Sequence, residues 1–385
     1  MQPIANGGTV QATPGNQDSG AFMKRLSWVL LAALLPMGHS QAQVSPAAPL
    51  RVDDDGTVHV PTHAVPPSAF LSPEARAYLR DHLRPDPALL RAGSADGVPP
   101  LIAGYLNRQR DMYPVERRET TIGGVHAYDY LPKDGVSARN RGRVLINLHG
   151  GGFMGCWPGC AELESIPVAA LGRIRVVSLD YRQGPRNVHP AASQDVAAAY
   201  RELLKTYRPE NIGIYGCSAG GMLTGMSLAW FQKEKLPRPG AAGVLCAGLS
   251  LEGNGFGGDS AYFSLPLGEG RPPPRTAEAG ALGGAMMPYF AGASPEDPLV
   301  APASSMEVLA GFPPTLVISS TRGFDLSAAT HTHRLLVSAG VDADLHVWDG
   351  LFHGFFYNAD VPESREVFAV IVKFFDQHLG QHKGN

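Results

Sequence analysis

Apolar residues gather in short unbroken runs at 143–148, 174–179, 211–216, 242–247 and 315–319. Runs of this length without polar alternation read as strands covered on both faces. The stretches between them carry apolar residues three and four apart. In 188–207, Val196, Ala197, Tyr200, Leu203 and Leu204 fall on one helical face, and in 363–379 so do Val367, Val370, Ile371, Phe374 and Phe375. Further helices are predicted at 161–171, 220–230 and 327–339, and a final strand at 343–348. Strand and helix in repeated alternation predict a mostly parallel sheet with helices on both faces. Ahead of this pattern, 118–130 alternates around Gly123-Gly124 and reads as a hairpin-like strand pair. Ala75, Tyr78 and Leu79 mark a helix over 72–82, and 99–112 reads as a second. The rhythm breaks at 251–306, which is rich in Gly and Pro and holds Ala261-Tyr262-Phe263 and Met286-Met287-Pro288-Tyr289-Phe290. Those apolar residues pack between domains or line a pocket; the pattern alone does not choose.

With 385 residues and 44% hydrophobic content, the chain can bury one elaborated core, or a core and a cap. A formal net charge of -3 gives no footprint for nucleic acid, so no nucleic-acid partner is expected. Residues 1–22 are polar and poor in core-forming side chains. Met23-Lys24-Arg25 then leads into an apolar run at 26–35 that ends in Ser40-Gln41-Ala42. This is the layout of a secretory signal with cleavage after Ala42, and Met23 is an alternative start. The run is too short to span a bilayer, so no stable membrane insertion is expected; an N-terminal anchor is the competing reading. The mature protein is expected in the periplasm or outside the cell.

Candidate chemistry starts at Gly216-Cys217-Ser218-Ala219-Gly220-Gly221, which closes one apolar run and opens a helical one. Gly-x-Ser-x-Gly between strand and helix is a nucleophile elbow, a sharp turn that pushes the serine hydroxyl out of the sheet. The run 143–148 ends in His149-Gly150-Gly151-Gly152-Phe153, whose uncovered main-chain amides suit a tetrahedral oxyanion. Export permits disulfides, and Cys156 and Cys160, in the loop after these glycines, are the candidate pair. Their spacing alone does not establish the bond geometry. Cys217 and Cys246 fall in or beside apolar strands and read as buried thiols, with no His spacing to support a metal site.

Together these motifs resemble the hormone-sensitive-lipase-like branch of the α/β-hydrolase superfamily, over roughly residues 70–380. His149–Phe153 is similar to its His-Gly-Gly-Gly motif, and 216–221 to its nucleophile motif, with Cys217 where Asp is usual. Asp180-Tyr181-Arg182 with His189-Pro190-Ala191-Ala192, then Asp297-Pro298 with Pro302, then Gly350 to His353-Gly354-Phe355 follow in the order of that family. The resemblance implies an α/β-hydrolase fold: a mostly parallel eight-stranded sheet flanked by helices, with a helical cap. With the leader read at 1–42, the expected layout is an arm and cap helices at 43–115, core at 116–250, a cap insertion or long loop at 251–306, and core again at 307–385.

A triad in the order Ser, acid, His follows. Ser218 is the expected nucleophile and His353 the base. His346 sits within a strand, and His331 and His333 lie on a helix without motif support. His149 is expected to prop the loop, with Gly152 as further loop support. Backbone amides of Gly150, Gly151 and Ala219 are the expected oxyanion donors. In the acid's usual place stands Gly323. Asp325, two residues on and the only carboxylate in the loop between the strand 315–319 and the next helix, is the expected acid; the competing readings are that the acid is weakened or absent, or that Asp325 caps the helix that begins there, and Asp349 is an outside candidate, only four residues from His353.

The function this implies is serine hydrolysis of short- to medium-chain carboxylic esters through an acyl-enzyme. No metal or organic cofactor is expected, and a small-molecule ester is the expected partner of a monomer or homodimer. Two alternatives stand beside it: a non-catalytic, receptor-like binder of small molecules with a damaged triad, and an amidase or cell-wall ester hydrolase with the same apparatus.

Overall fold

The computed structural model describes residues 51–54, 56, 58–59, 64–84, 98, 100–251, 258–263 and 288–380. The expected signal segment at 1–42 and Met286-Met287 lie outside the described residues. The chain divides into two units, 1–65 and 66–385. In the first, β1 (Arg51–Val52) and β2 (Val58–His59) pair antiparallel, Arg51 opposite His59.

The second unit is built on an eight-stranded sheet of order β10-β9-β8-β7-β5-β6-β4-β3. Its strands are β3 (Val115–Ile122), β4 (Val125–Pro132), β5 (Val144–Leu148), β6 (Arg175–Leu179), β7 (Ile212–Cys217), β8 (Ala241–Leu245), β9 (Thr315–Arg322) and β10 (Ala343–Phe352). The hairpin expected around Gly123-Gly124 is β3–β4, and β4 alone runs against both of its neighbours. The other five pairings are parallel. The described helices are α1 (Pro73–Leu83), α2 (Pro100–Met112), α3 (Gly159–Gly172), α4 (Ala191–Leu203), α5 (Ala219–Lys233), α6 (Ser260–Phe263), α7 (Met306–Ala310), α8 (Leu326–Ser338) and α9 (Pro362–His378).

The apolar strands hide a period of two, because successive side chains feed two separate cores. Ile146, Ile214, Val244 and Val317 join Val196 and Tyr200 of α4 and Leu223 and Phe231 of α5 on one face. Their neighbours Leu145, Tyr215, Leu245 and Ile318 join Leu163 and Ile166 of α3 and Phe368 and Phe375 of α9 on the other. Parallel strands linked by helices present all their carboxyl ends on one side, and the crevice there is where such sheets bind ligands. The glycine run, Ser218 and the start of α8 all lie at those ends.

β10 extends beyond the expected 343–348 to Phe352, with a register irregularity between Trp348 and Phe352. This carries the chain to His353 at the strand's very end. α1 and α2 form a helical subdomain against this segment. Ser72 caps α1 by accepting from Ala75 N–H at 3.0 Å, while its own N–H and hydroxyl donate to Glu363 of α9. Tyr78 packs on Phe352 with ring centroids 4.9 Å apart, and Gln109 Nε2 donates to the Tyr357 carbonyl at 3.0 Å.

Candidate active site

β7 ends at Cys217 and α5 begins at Ala219, so Ser218 alone makes the turn between strand and helix. Its backbone is held at φ 57, ψ -122, a conformation that L-residues avoid. A hydrogen bond from its N–H to Leu245 O, 2.8 Å, pins the turn to the end of β8. The flanking glycines are forced by close approach: a Cβ on Gly216 would meet Leu148 O at 2.1 Å, and one on Gly220 would meet the same atom at 1.7 Å.

His353 Nδ1 lies 2.7 Å from Asp325 Oδ1. With the carboxylate ionised, that ring nitrogen is the donor, which leaves Nε2 the basic position. Asp325 is fully buried, and its other oxygen accepts from Ser319 Oγ at 2.6 Å. Although Asp325 stands at the N-cap of α8, its side chain makes no capping bond. Gly323 explains the displacement, since a Cβ there would meet Asp325 Oδ1 and Ser320 Oγ at 2.9 Å each. The Asp325 carboxylate fills the space that a side chain at 323 would need. Asp349 points elsewhere, to Ser68 and Thr321. His333 Nε2 bonds the Ala343 carbonyl and His331 approaches Arg334; both stay on α8.

Cys217 and Cys246 are free thiols, both buried at the ends of β7 and β8 beside the serine turn. Donor atoms of Cys246, Asp325 and His353 lie within 4.8 Å of one another. The Asp325 carboxylate and His353 Nδ1 in that cluster already satisfy each other. Burial pushes the Cys217 thiol well above its ordinary range, which suits a packing role. His82 of α1 stacks on Phe352 with centroids 3.4 Å apart. Burial, and then the charge of nearby His353, bring its pKa down to about 4.

The glycine loop is clamped from below. His149 is fully buried, stacks on Tyr181 at 4.5 Å and bonds the Gly150 carbonyl through Nδ1 at 2.7 Å. Tyr181 O–H donates to the His149 carbonyl at 2.6 Å. Burial lowers the His149 pKa to about 4, so the ring is a neutral prop. Gly151 turns at φ 118, where a Cβ would strike the Gly155 carbonyl at 2.3 Å. Beyond it, Cys156 and Cys160 form a disulfide with Cα atoms 5.4 Å apart. Arg110, Arg117, Tyr128 and Trp157 line a neighbouring cavity of about 730 Å³ that does not reach Ser218 or His353.

One expected oxyanion donor is corrected here. The Gly150 N–H does not face the serine; it donates to Glu164 Oε1 at 2.9 Å. Among the described residues, the N–H groups of Gly151 and Gly152 bond no protein acceptor. Ala219, first in α5, has no intrahelical acceptor for its own N–H. Glu164 itself escaped the sequence reading. It also accepts from Asn147 Nδ2, Cys217 N–H and Tyr357 O–H. Burial pushes its pKa up to about 7 against the pull of those four donors. The available signal was a pair of acids, Glu162 and Glu164, inside a helix that is otherwise apolar.

Residues 145–357 match a family described as having the alpha/beta hydrolase fold. An acetyl-hydrolase of Streptomyces hygroscopicus is 29% identical over 247 residues, covering 63% of this chain and 79% of that protein. Among solved structures, esterase E25 is similar with a TM-score of 0.69 at 28% identity, over 83% of this chain and 98% of that one. An esterase from the bacterial hormone-sensitive lipase (HSL) family is similar with a TM-score of 0.63 at 26% identity, over 80% and 99%.

Proposed function

The chain belongs to the alpha/beta hydrolase fold family, and from that premise we propose that Ser218, His353 and Asp325 hydrolyse short- to medium-chain carboxylic esters. It is an esterase/lipase-type hydrolase acting on carboxylic esters. The observation that carries the residue assignment is the 2.7 Å bond between His353 Nδ1 and a fully buried Asp325 that caps nothing. A carboxylate placed this way fixes the imidazole tautomer and stabilises the imidazolium.

His353 Nε2 takes the Ser218 proton as Oγ attacks the ester carbonyl. The carbonyl oxygen becomes an oxyanion facing the amides of Gly151, Gly152 and Ala219, each worth about 3 kcal/mol to the transition state. His353 returns the proton to the departing alkoxide, and an alcohol leaves. Water, deprotonated by His353, attacks the acyl-serine; the tetrahedral intermediate collapses to the free acid and Ser218 regains its proton. No step calls on a cofactor.

Export through the segment ending near Ala42 is part of the proposal, supported by its charged start and apolar run and by the Cys156–Cys160 disulfide. Among the described residues, no helix is long and apolar enough to cross a membrane.

A fluorophosphonate probe is expected to label one serine, on the peptide carrying Ser218. p-Nitrophenyl acetate, butyrate and octanoate are expected to be hydrolysed well above the uncatalysed rate. Labelling on another residue would remove Ser218 from its role. No turnover at any chain length would shift the reading to a receptor-like binder.

A further inference from the structure

Glu164 projects from α3 between the ends of β5 and β7 and is 1% exposed. Its Oε1 accepts from Gly150 N–H at 2.9 Å and Tyr357 O–H at 2.8 Å. Its Oε2 accepts from Asn147 Nδ2 at 2.9 Å and Cys217 N–H at 3.2 Å. Gly150 opens the glycine turn, Cys217 immediately precedes Ser218, and Tyr357 lies four residues past His353. One carboxylate therefore ties together the three segments that carry the amides, the nucleophile and the base. Tyr357 is gripped from its other side by Gln109 of α2, itself fully buried.

Docking of α3 does not require this group. Leu163, Ile166, Val168 and Ala169 already seat the helix in the core. Burying a carboxylate is costly unless every oxygen is satisfied, and an apolar residue would avoid that cost. Four donors and no acceptor face Glu164, which suits the ionised form. A buried charge kept where packing does not need it, and bonded to all three catalytic segments, calls for a role in their alignment.

We infer that Glu164 is a positioning residue: its carboxylate holds the Gly151-Gly152 turn in register with Ser218 and His353, so that the amides meet the oxyanion. This rests on the triad reading above. Glu164 touches no substrate and exchanges no proton with it. Its effect belongs to the transition state, where the oxyanion exists, and not to ester binding.

Glu164→Gln keeps the shape but turns an NH2 group toward two of the four donors. kcat is expected to fall about 30- to 300-fold with KM within about 3-fold, the pattern of a displaced oxyanion donor. Affinity for a trifluoromethyl ketone, whose serine adduct bears that oxyanion, is expected to fall by a similar factor. Glu164→Asp, which keeps the charge but shortens the reach, is expected to show the same split at about 10-fold or more. Hydrogen exchange at the Gly150 and Cys217 amides is expected to quicken in both variants, a readout that needs no substrate. Failure of the wild type to bind the ketone would count against the triad, while faster exchange in the variants would still uphold the tie. The inference is overturned if either folded variant keeps the wild-type kcat and ketone affinity, or if its loss is confined to KM or to thermal stability.

Discussion

Ester hydrolysis is expected to fall by about 10⁶-fold in Ser218→Ala and by about 10³- to 10⁴-fold in Asp325→Asn, measured as kcat/KM, with both variants folded. The two losses differ because the groups do different work. Without the Ser218 hydroxyl there is no acyl-enzyme, and only the oxyanion amides and substrate binding remain. With Asn at 325 the nucleophile and base are both present, but an amide presented to His353 Nδ1 no longer requires a proton there. The ring can then carry its proton on Nε2, where it cannot serve as base. Ser319 Oγ, which donates to Asp325 at 2.6 Å, can still hold an amide oxygen, so the loop should keep its path. The measurement is p-nitrophenyl butyrate hydrolysis with circular dichroism and melting curves for each variant. An Asp325→Asn enzyme within tenfold of wild type would mean that another group orients His353. Full loss of folding would leave Asp325→Ser, which is small enough for the buried site, to carry the comparison.

Among the described glycines, Gly220→Ala is expected to be the most destructive added methyl group, costing more than about 4 kcal/mol. The added carbon would sit 1.7 Å from Leu148 O and 2.9 Å from His149 O. Both are backbone atoms at the end of β5, where the glycine loop starts. Relief requires pulling α5 away from the sheet or moving the loop, and either breaks the core around Leu223 and Ile146. Gly152→Ala is the matched control. Its φ of 63 is left-handed, yet nothing lies within 4 Å of the new carbon, so the expected cost is only about 1–2 kcal/mol. Urea unfolding of the two variants gives the comparison. Equal stabilities would show that the α5–β5 contact yields more easily than its geometry implies.

Much of this arrangement was legible from the chain. Uninterrupted apolar runs gave the parallel strands, and Gly123-Gly124 gave the β3–β4 hairpin. The elbow was legible because its glycines are imposed by backbone contacts, which leave little choice of residue. Asp325 was harder. The family resemblance places Gly323 where an acid is usual, and only three-dimensional packing reveals that a residue two positions later occupies the same space. The Gly150 amide was misread because a run of three glycines says nothing about which way each N–H points. That direction is set by Glu164, on a helix buried on nearly every side. Such a helix has no polar stripe to mark its faces, so an internal carboxylate looks like any other charged residue. The end of β10 was missed for a related reason: its irregularity carries the strand on past Trp348, where the alternating pattern stops.

The Glu164 cage also makes folding a proton-binding reaction. An unfolded glutamate titrates near 4.5, whereas this one sits at about 7 because burial outweighs its donors. The folded chain therefore holds the proton more tightly than the unfolded chain does. Its contribution to stability is complete below about pH 4.5 and is lost as the pH rises through about 7, a swing of about 3 kcal/mol. Neighbouring Tyr181, Tyr215, Tyr357 and Cys217 are all held above their usual values by burial and stay neutral throughout this range. His82 and His149, held neutral down to about pH 4, act in the opposite sense in acid, so the linkage is read as a difference: the melting temperature of wild type relative to that of Glu164→Gln is expected to fall between pH 5 and 8, and parallel curves would contradict it. The ionised cage that suits catalysis is then the less stable state of this site, and the proton that steadies it is the one the amide clamp must lose.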